Sequence, residues 1–235
     1  MRALGIDVGV GKGLDLVGLD ERRMPLLVMA RASLEDVSRV VREYRPDVIA
    51  IDSPPSWAAT GKSRLTEKEL ARLNIHAFRT PSSDHGSGRQ FDWMRSGMDV
   101  FALVATLGYP LFNGGSFRRR AIEVFPHATA AVLTGCLPPK GMRKRDWRTH
   151  VLRLQGVRTD DLTTVDRLDA ALAALTGVLA LQGHASYLGD MKEGVIVVPS
   201  RALAPTYRPG RMADDGSAQL FAWCACGDPG CDALP

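Results

Sequence analysis

Single carboxylates at the ends of two apolar runs are the first residues that could do chemistry. Asp7 follows Leu4–Ile6, and Asp52 follows Val48–Ile51. A charge in such surroundings needs a partner, a metal ion or a catalytic role, because burying an unpaired charge is costly. If the two runs are neighbouring parallel strands, their carboxylates meet at one edge of a sheet.

Further acids lie on other predicted elements. Glu123 lies inside an apolar strand, and Asp166 and Asp169 share one face of a long helix because they are three residues apart. Carboxylates brought together raise one another's pKa, and a divalent cation relieves that repulsion. Carboxylate oxygens suit Mg²⁺ or Mn²⁺, which activate water in phosphodiester cleavage. Alternatively, Asp166 is only a first-turn acid favoured by the helix dipole.

Turn residues and periodicity predict the elements that position these acids. Three short strands, over residues 2–9, 14–20 and 25–31, form an antiparallel meander. Ser33 then caps a helix, with Asp36 completing a capping box. The strand that ends at Asp52 follows, and a right-handed crossover pairs it parallel to the first strand.

The second half of the chain mixes a long loop with helices and strands. Residues 55–93 are polar and irregular, with one short helix over 66–74, and long loops of this kind are commonly functional. Helices are predicted over 92–107, 127–133, 144–155 and 163–182, and strands over 117–126 and 194–198. Residues 1–199 therefore form one domain with an insertion at about 55–93, and residues 200–235 form a Pro/Gly-rich tail.

Composition narrows the class of protein. The 235 residues are 45% hydrophobic, enough for the core of one domain. The sequence shows neither an apolar run of about 20 residues nor a secretion signal, so we predict no membrane partner and a cytoplasmic location. The net charge of +4 favours polyanionic partners. Composition does not predict the oligomeric state.

The four cysteines are expected to be reduced thiols. Cys224, Cys226 and Cys231 form a C-x-C-x4-C pattern in the tail. A structural zinc ion there would need a fourth ligand, either Cys136 or a distant histidine.

Five short motifs occur in a fixed order along residues 2–199. They are Gly5–Asp7, Ala50–Pro55, Ile122–Pro126, Asp166–Ala170 and Glu193–Pro199. In order and spacing they resemble the DUF429 family of predicted nucleases, within the ribonuclease H-like superfold.

The resemblance implies an α/β fold with a mixed five-stranded sheet of order 3-2-1-4-5 and helices on both faces. It also implies Mg²⁺- or Mn²⁺-dependent hydrolysis of nucleic acid. Carried over, Asp7 bridges the metals, Asp52 ligates one of them, and Asp169 with Asp166 completes the site. Glu123 fits the family's Glu-Val-Phe-Pro pattern and is a candidate catalytic residue.

Basic residues are candidates for contacts with substrate phosphates. They are Arg64, Arg79 and Arg89 in the long loop, Arg119 before a strand, and Lys140 in a basic segment. Charges beside a strand can instead serve only as a solvated edge.

The chemical roles of the acids have structural alternatives. Asp7 and Asp52 could be satisfied by the backbone of adjacent loops. Glu123 could pair with a buried arginine such as Arg79 or Arg119. His127, which follows Pro126 at the end of a predicted strand, could transfer protons or only pack at a helix start.

Two other functions remain open. A phosphotransferase of the sugar-kinase and acetate-kinase type shares this sheet and also begins with an Asp and a glycine hairpin, although such enzymes usually need two domains. A nucleic-acid-binding protein that has the fold without catalysis is the other alternative.

Overall fold

A mixed seven-stranded sheet is the centre of the computed structural model, which describes residues 1–9, 11–212 and 218–219. Its strands are β1 (Arg2–Val8), β2 (Leu14–Asp20), β3 (Pro25–Ala32), β4 (Val48–Asp52), β5 (Arg120–Val124), β6 (Ser186–Asp190) and β7 (Gly194–Val198). The order is β3-β2-β1-β4-β5-β7-β6, in which β1, β4, β5 and β7 run parallel. Two short strands, β8 (Arg211–Met212) and β9 (Ala218–Gln219), pair only with each other.

The first five strands lie in the predicted order, 3-2-1-4-5, but the predicted count of five strands is wrong. The strand at 194–198 was predicted and becomes β7. The missed strand is β6, which pairs antiparallel to β7 at the edge of the sheet. Its residues are half-buried or exposed and include Gly189 at φ +107°, so its sequence lacks the apolar alternation of a strand.

Six helices of the described chain cover both faces of the sheet. They are α1 (Leu34–Tyr44), α2 (Leu65–Arg72), α3 (Asp92–Thr106), α4 (Pro126–Thr134), α5 (Lys144–Leu154) and α6 (Val165–Leu181), with a 3₁₀ turn at Arg89–Phe91. Helices α1 and α3 pack on one face, whereas α4, α5 and α6 pack on the other. The predicted helices are confirmed to within two residues at each end.

Local chemistry explains two of these boundaries. The predicted capping box starts α1, because the Ser33 hydroxyl accepts a hydrogen bond from the Asp36 amide and the Asp36 carboxylate accepts one from the Ser33 amide. Strand β5 starts later than predicted, at Arg120, because Arg119 has a left-handed backbone with φ 56°.

Helix α6 lies directly on the central strand. A Cβ atom on Gly5 of β1 would lie 2.0 Å from the Ala170 carbonyl oxygen and 2.4 Å from the Ala174 amide nitrogen. Ala170 and Ala174, the small residues of α6 at this contact, allow the close approach. This contact sets the position of Asp169 relative to β1, so that Asp169 lies near the carboxyl end of the strand and Asp7.

The structure describes only part of the predicted tail. Cys224, Cys226 and Cys231 lie outside the described residues, so the zinc hypothesis stays a prediction. Cys136, its possible fourth ligand, is a buried free thiol next to Thr134. Among the helices of the described chain, none is long and apolar enough to cross a bilayer.

The Gly5 contact makes a testable prediction. Gly5→Ala should lower the free energy of unfolding by about 2 kcal/mol or more, because the added methyl group overlaps the backbone of α6. Urea denaturation measures this change. Gly115→Ala is the matched control, because nothing lies within 4 Å of a Cβ atom there. Equal stability of the two variants would contradict the described packing of α6 on β1.

Candidate metal centre

Three carboxylates from three elements converge at the carboxyl ends of β1 and β4. Asp7, Asp52 and Asp169 each offer an oxygen atom, and these atoms all lie within 4.8 Å of one another. Asp7 and Asp52 are register partners on adjacent parallel strands, as the sequence predicted. Asp169 arrives from the second turn of α6. The arrangement is a compact set of hard oxygen donors.

Burial and mutual repulsion make Asp7 and Asp52 unusually weak acids. Burial raises the pKa of Asp7 from 3.8 to about 7, and the charges of Asp169 and Asp166 add to the effect. Burial raises the pKa of Asp52 well above its ordinary value, helped by the charges of Asp7 and Asp169. The oxygen atoms of Asp7 and Asp52 lie close together, so ionising both carboxyls brings two negative charges into contact. A hard divalent cation would offset that repulsion, so the donor set fits such an ion.

Asp169 differs from the other two acids because it has cationic partners. Arg148 Nε donates to its Oδ1 at 2.7 Å, and Lys144 Nζ lies 2.7 Å from its Oδ2. Arg148 is 1% exposed, whereas Lys144 is 57% exposed to solvent. Neither residue was predicted from the sequence to belong to the site. Their spacing of four residues on α5, which puts them on one helix face, was the available signal.

Asp166, predicted as a metal ligand, lies outside this group of three. It precedes Asp169 by nearly one turn of α6 and is half-buried. Its charge raises the pKa of Asp7 and also that of Asp15 on β2. Asp166 thus contributes negative potential to the centre, and its role as a ligand stays a prediction.

Glu123 does not join the metal centre. Arg64 Nη1 donates to its Oε2 at 2.8 Å, and Nη2 donates to its other oxygen. The Arg64 guanidinium, 1% exposed, also contacts Glu67 through Nε at 3.1 Å. Glu123 is therefore a buried ion-pair partner, and its catalytic role stays a prediction. Its partner is Arg64 instead of Arg79 or Arg119, and this burial removes Arg64 from the candidate substrate contacts.

The predicted substrate contacts divide into two groups. Arg119 lies where β5 begins, at the sheet edge opposite the carboxylates, and its Nη1 donates to the Tyr109 hydroxyl at 2.9 Å. It is therefore not part of this site. Arg79, Arg89 and Lys140 are exposed on loops, and their phosphate contacts stay predictions.

His127, predicted to be close to the site, packs against Trp147 of α5 with ring centroids 5.1 Å apart. Burial and the charges of Arg148 and Lys144 lower the pKa of His127 to about 4. The imidazole is therefore neutral at physiological pH, and its part in proton transfer stays a prediction.

Sequence comparison establishes the family. The chain belongs to the family described as "Protein of unknown function (DUF429)", whose model matches residues 5–193, and the resemblance is thereby confirmed. No curated protein matches the chain.

Two solved structures match the chain at low sequence identity. A Thermus thermophilus RuvC structure is 14% identical, with a TM-score of 0.42, and the match covers 78% of this chain and 97% of that one. The T. thermophilus RuvC in complex with Holliday junction substrate is 17% identical, with a TM-score of 0.39 and coverage of 78% and 96%. The chemistry of this chain therefore has to follow from its own carboxylates.

The raised pKa values predict how the metal-free protein responds to pH. A carboxyl whose pKa is higher in the folded state destabilises the fold as pH rises, here between about pH 4 and pH 7. Asp7→Asn should therefore stabilise the protein by at least about 1 kcal/mol at about pH 8 and have little effect near pH 4. Thermal melts in EDTA test this, and a variant less stable than the parent at the higher pH would contradict it.

Substitution of Asp169 should destabilise the protein, in contrast to substitution of Asp7. Asp169→Asn leaves the buried Arg148 guanidinium without its carboxylate, which should cost about 3 kcal/mol of unfolding free energy. Asp146→Asn is the control, because its partner Arg143 is 83% exposed and the pair should contribute less than about 1 kcal/mol. Urea denaturation distinguishes the two, and equal losses would show that the Asp169 pairs contribute no more than a surface ion pair.

Proposed function

We propose that this chain is a metal-dependent nuclease of the ribonuclease H-like type that hydrolyses phosphodiester bonds of nucleic acid with Mg²⁺ or Mn²⁺. The observation that carries the proposal is the convergence of Asp7, Asp52 and Asp169. In the described part of the chain, the ion pairs of this cluster go to Asp169, and none goes to Asp7 or Asp52. Such a donor set suits hard divalent cations.

Each residue of the centre has a distinct part in this proposal. Asp7 and Asp52 would hold the cation between the ends of β1 and β4, and Asp169 would complete its ligands. A bound divalent cation would lower the pKa of a water molecule and stabilise the negative charge on the phosphate oxygens. Arg148 fixes the orientation of Asp169. Lys144, which is exposed to solvent, would leave Asp169 and contact a substrate phosphate.

The ion pairs of Asp169 also favour a second candidate, a non-catalytic nucleic-acid-binding protein. Lys144 and Arg148 neutralise part of the acidic cluster without a metal ion. In that case the centre would be an internal salt-bridge network, and divalent cations would leave the melting temperature unchanged. Metal binding and cleavage therefore distinguish the two functions.

The cytoplasmic location stays a prediction from the sequence.

A cleavage assay tests the proposal. Single-stranded, duplex and branched oligonucleotides should be screened with Mn²⁺ and with Mg²⁺, and Asp7→Asn should reduce cleavage by about 100-fold or more, since metal catalysis is worth several kcal/mol. Asp99→Asn is the matched control, because this acid is exposed on α3. The control should keep the parental rate.

Calorimetric titration of the same proteins with Mn²⁺ should show binding that is lost only in Asp7→Asn. Absence of both binding and cleavage in the parent protein would overturn the nuclease proposal in favour of the non-catalytic one.

A further inference from the structure

A pocket of about 270 Å³ opens beside the metal centre. Its lining includes Asp52, His76, Phe78, Trp93, Glu123 and Phe125. Asp52 therefore belongs both to the carboxylate cluster and to the pocket wall. Whatever occupies the pocket lies next to the site at which a cation would bind.

Two aromatic side chains of the pocket lining contact each other. Phe78 is 68% exposed, and its ring meets that of Trp93 edge to face, with centroids 6.0 Å apart. Phe78 lies on the insertion, in the segment between α2 and α3. Phe78 therefore presents an exposed aromatic ring in the lining of a pocket that also contains Asp52.

Positive charge adjoins the aromatic surface. Phe78 also lines a neighbouring cavity together with Lys62 and Arg79. Two acids inside the pocket, Glu123 and Glu67, both pair with the buried Arg64, which offsets part of their charge and weakens their repulsion of an anionic ligand. An aromatic ring flanked by cations is the surface on which single-stranded nucleic acids bind, with bases stacked on the ring and phosphates on the basic residues.

The size of the pocket limits what it can hold. Pockets for drug-sized ligands have about 300–1,000 Å³, so this pocket suits one ring system rather than an extended molecule. A base inside a duplex is stacked on both sides and cannot enter unless it leaves the helix. An unpaired base can enter without that cost.

We propose that the pocket binds a single unpaired nucleobase, stacked on Phe78, of a strand whose backbone passes Lys62 and Arg79. The phosphodiester next to that base then lies at Asp52 and the other carboxylates. This inference rests on the proposed nuclease function and names its substrate class, which is nucleic acid with unpaired nucleotides at the cleavage site. Fully paired duplex is the excluded class.

Binding without cleavage tests this proposal. In EDTA, fluorescence anisotropy of labelled oligonucleotides should show that the Asp7→Asn protein binds a single strand at least about tenfold more tightly than a duplex of the same sequence. Adding Phe78→Ala should weaken single-strand binding by about tenfold or more and leave duplex binding unchanged, because stacking on one aromatic ring has that strength. Since Phe78 is exposed, the variant should keep the parental melting temperature.

Tyr187→Ala is the matched control, because this aromatic side chain is 45% exposed on the edge strand β6. It should leave single-strand binding unchanged. Quenching of Trp93 fluorescence by the strand, lost in Trp93→Phe, is a second readout of a base in the pocket. Arg79→Ala should reduce the slope of log affinity against log salt concentration by about 1, as expected for the loss of one phosphate contact.

Three results would overturn the proposal: equal affinity for strand and duplex, unchanged binding in Phe78→Ala, or equal affinity for the strand and for a nucleoside monophosphate. None of these measurements requires a metal ion. Loss of metal-dependent cleavage with strand binding intact would refute the nuclease function alone, whereas cleavage without Phe78-dependent binding would refute the pocket alone.

Discussion

The close contact between the backbone of α6 and Gly5 of β1 is the constraint on which the rest of the site depends. Only a residue without a Cβ atom permits it, and the alanines of α6 continue the same contact along the strand. Because the helix rests this near the sheet, Asp169 reaches the level at which β1 and β4 end in Asp7 and Asp52. Packing between small residues therefore determines the geometry of a charged site.

That geometry creates an electrostatic conflict, and the chain resolves only part of it. Lys144 and Arg148 offset the charge of Asp169, while burial and neighbouring acids keep the pKa values of Asp7 and Asp52 raised. Folding tolerates this repulsion because the surrounding core is extensive and well packed. Acids without cationic partners are expected at a site where a bound ligand supplies the positive charge. The aromatic pocket beside Asp52 places a surface for an unpaired base next to that charge.

The fold and the site were predictable from the sequence where the evidence was local or repeated. Asp7 and Asp52 end two apolar runs whose parallel pairing follows from a right-handed crossover. Prediction failed where a side chain's partner lies far along the chain. Glu123 pairs with Arg64 across 59 residues, and only the folded position of α2 reveals this. The half-exposed strand β6 lacked the periodicity that identifies buried strands.

The most direct test of the central claim is anomalous diffraction from crystals soaked in Mn²⁺, comparing the parent protein with Asp7→Asn. A divalent centre predicts anomalous density between Asp7, Asp52 and Asp169 in the parent and its loss in the variant, with Lys144 displaced from Asp169. Absence of density at saturating Mn²⁺, with Asp169 still bound to Lys144 and Arg148, would contradict the account and leave the acidic cluster as an internal salt-bridge network.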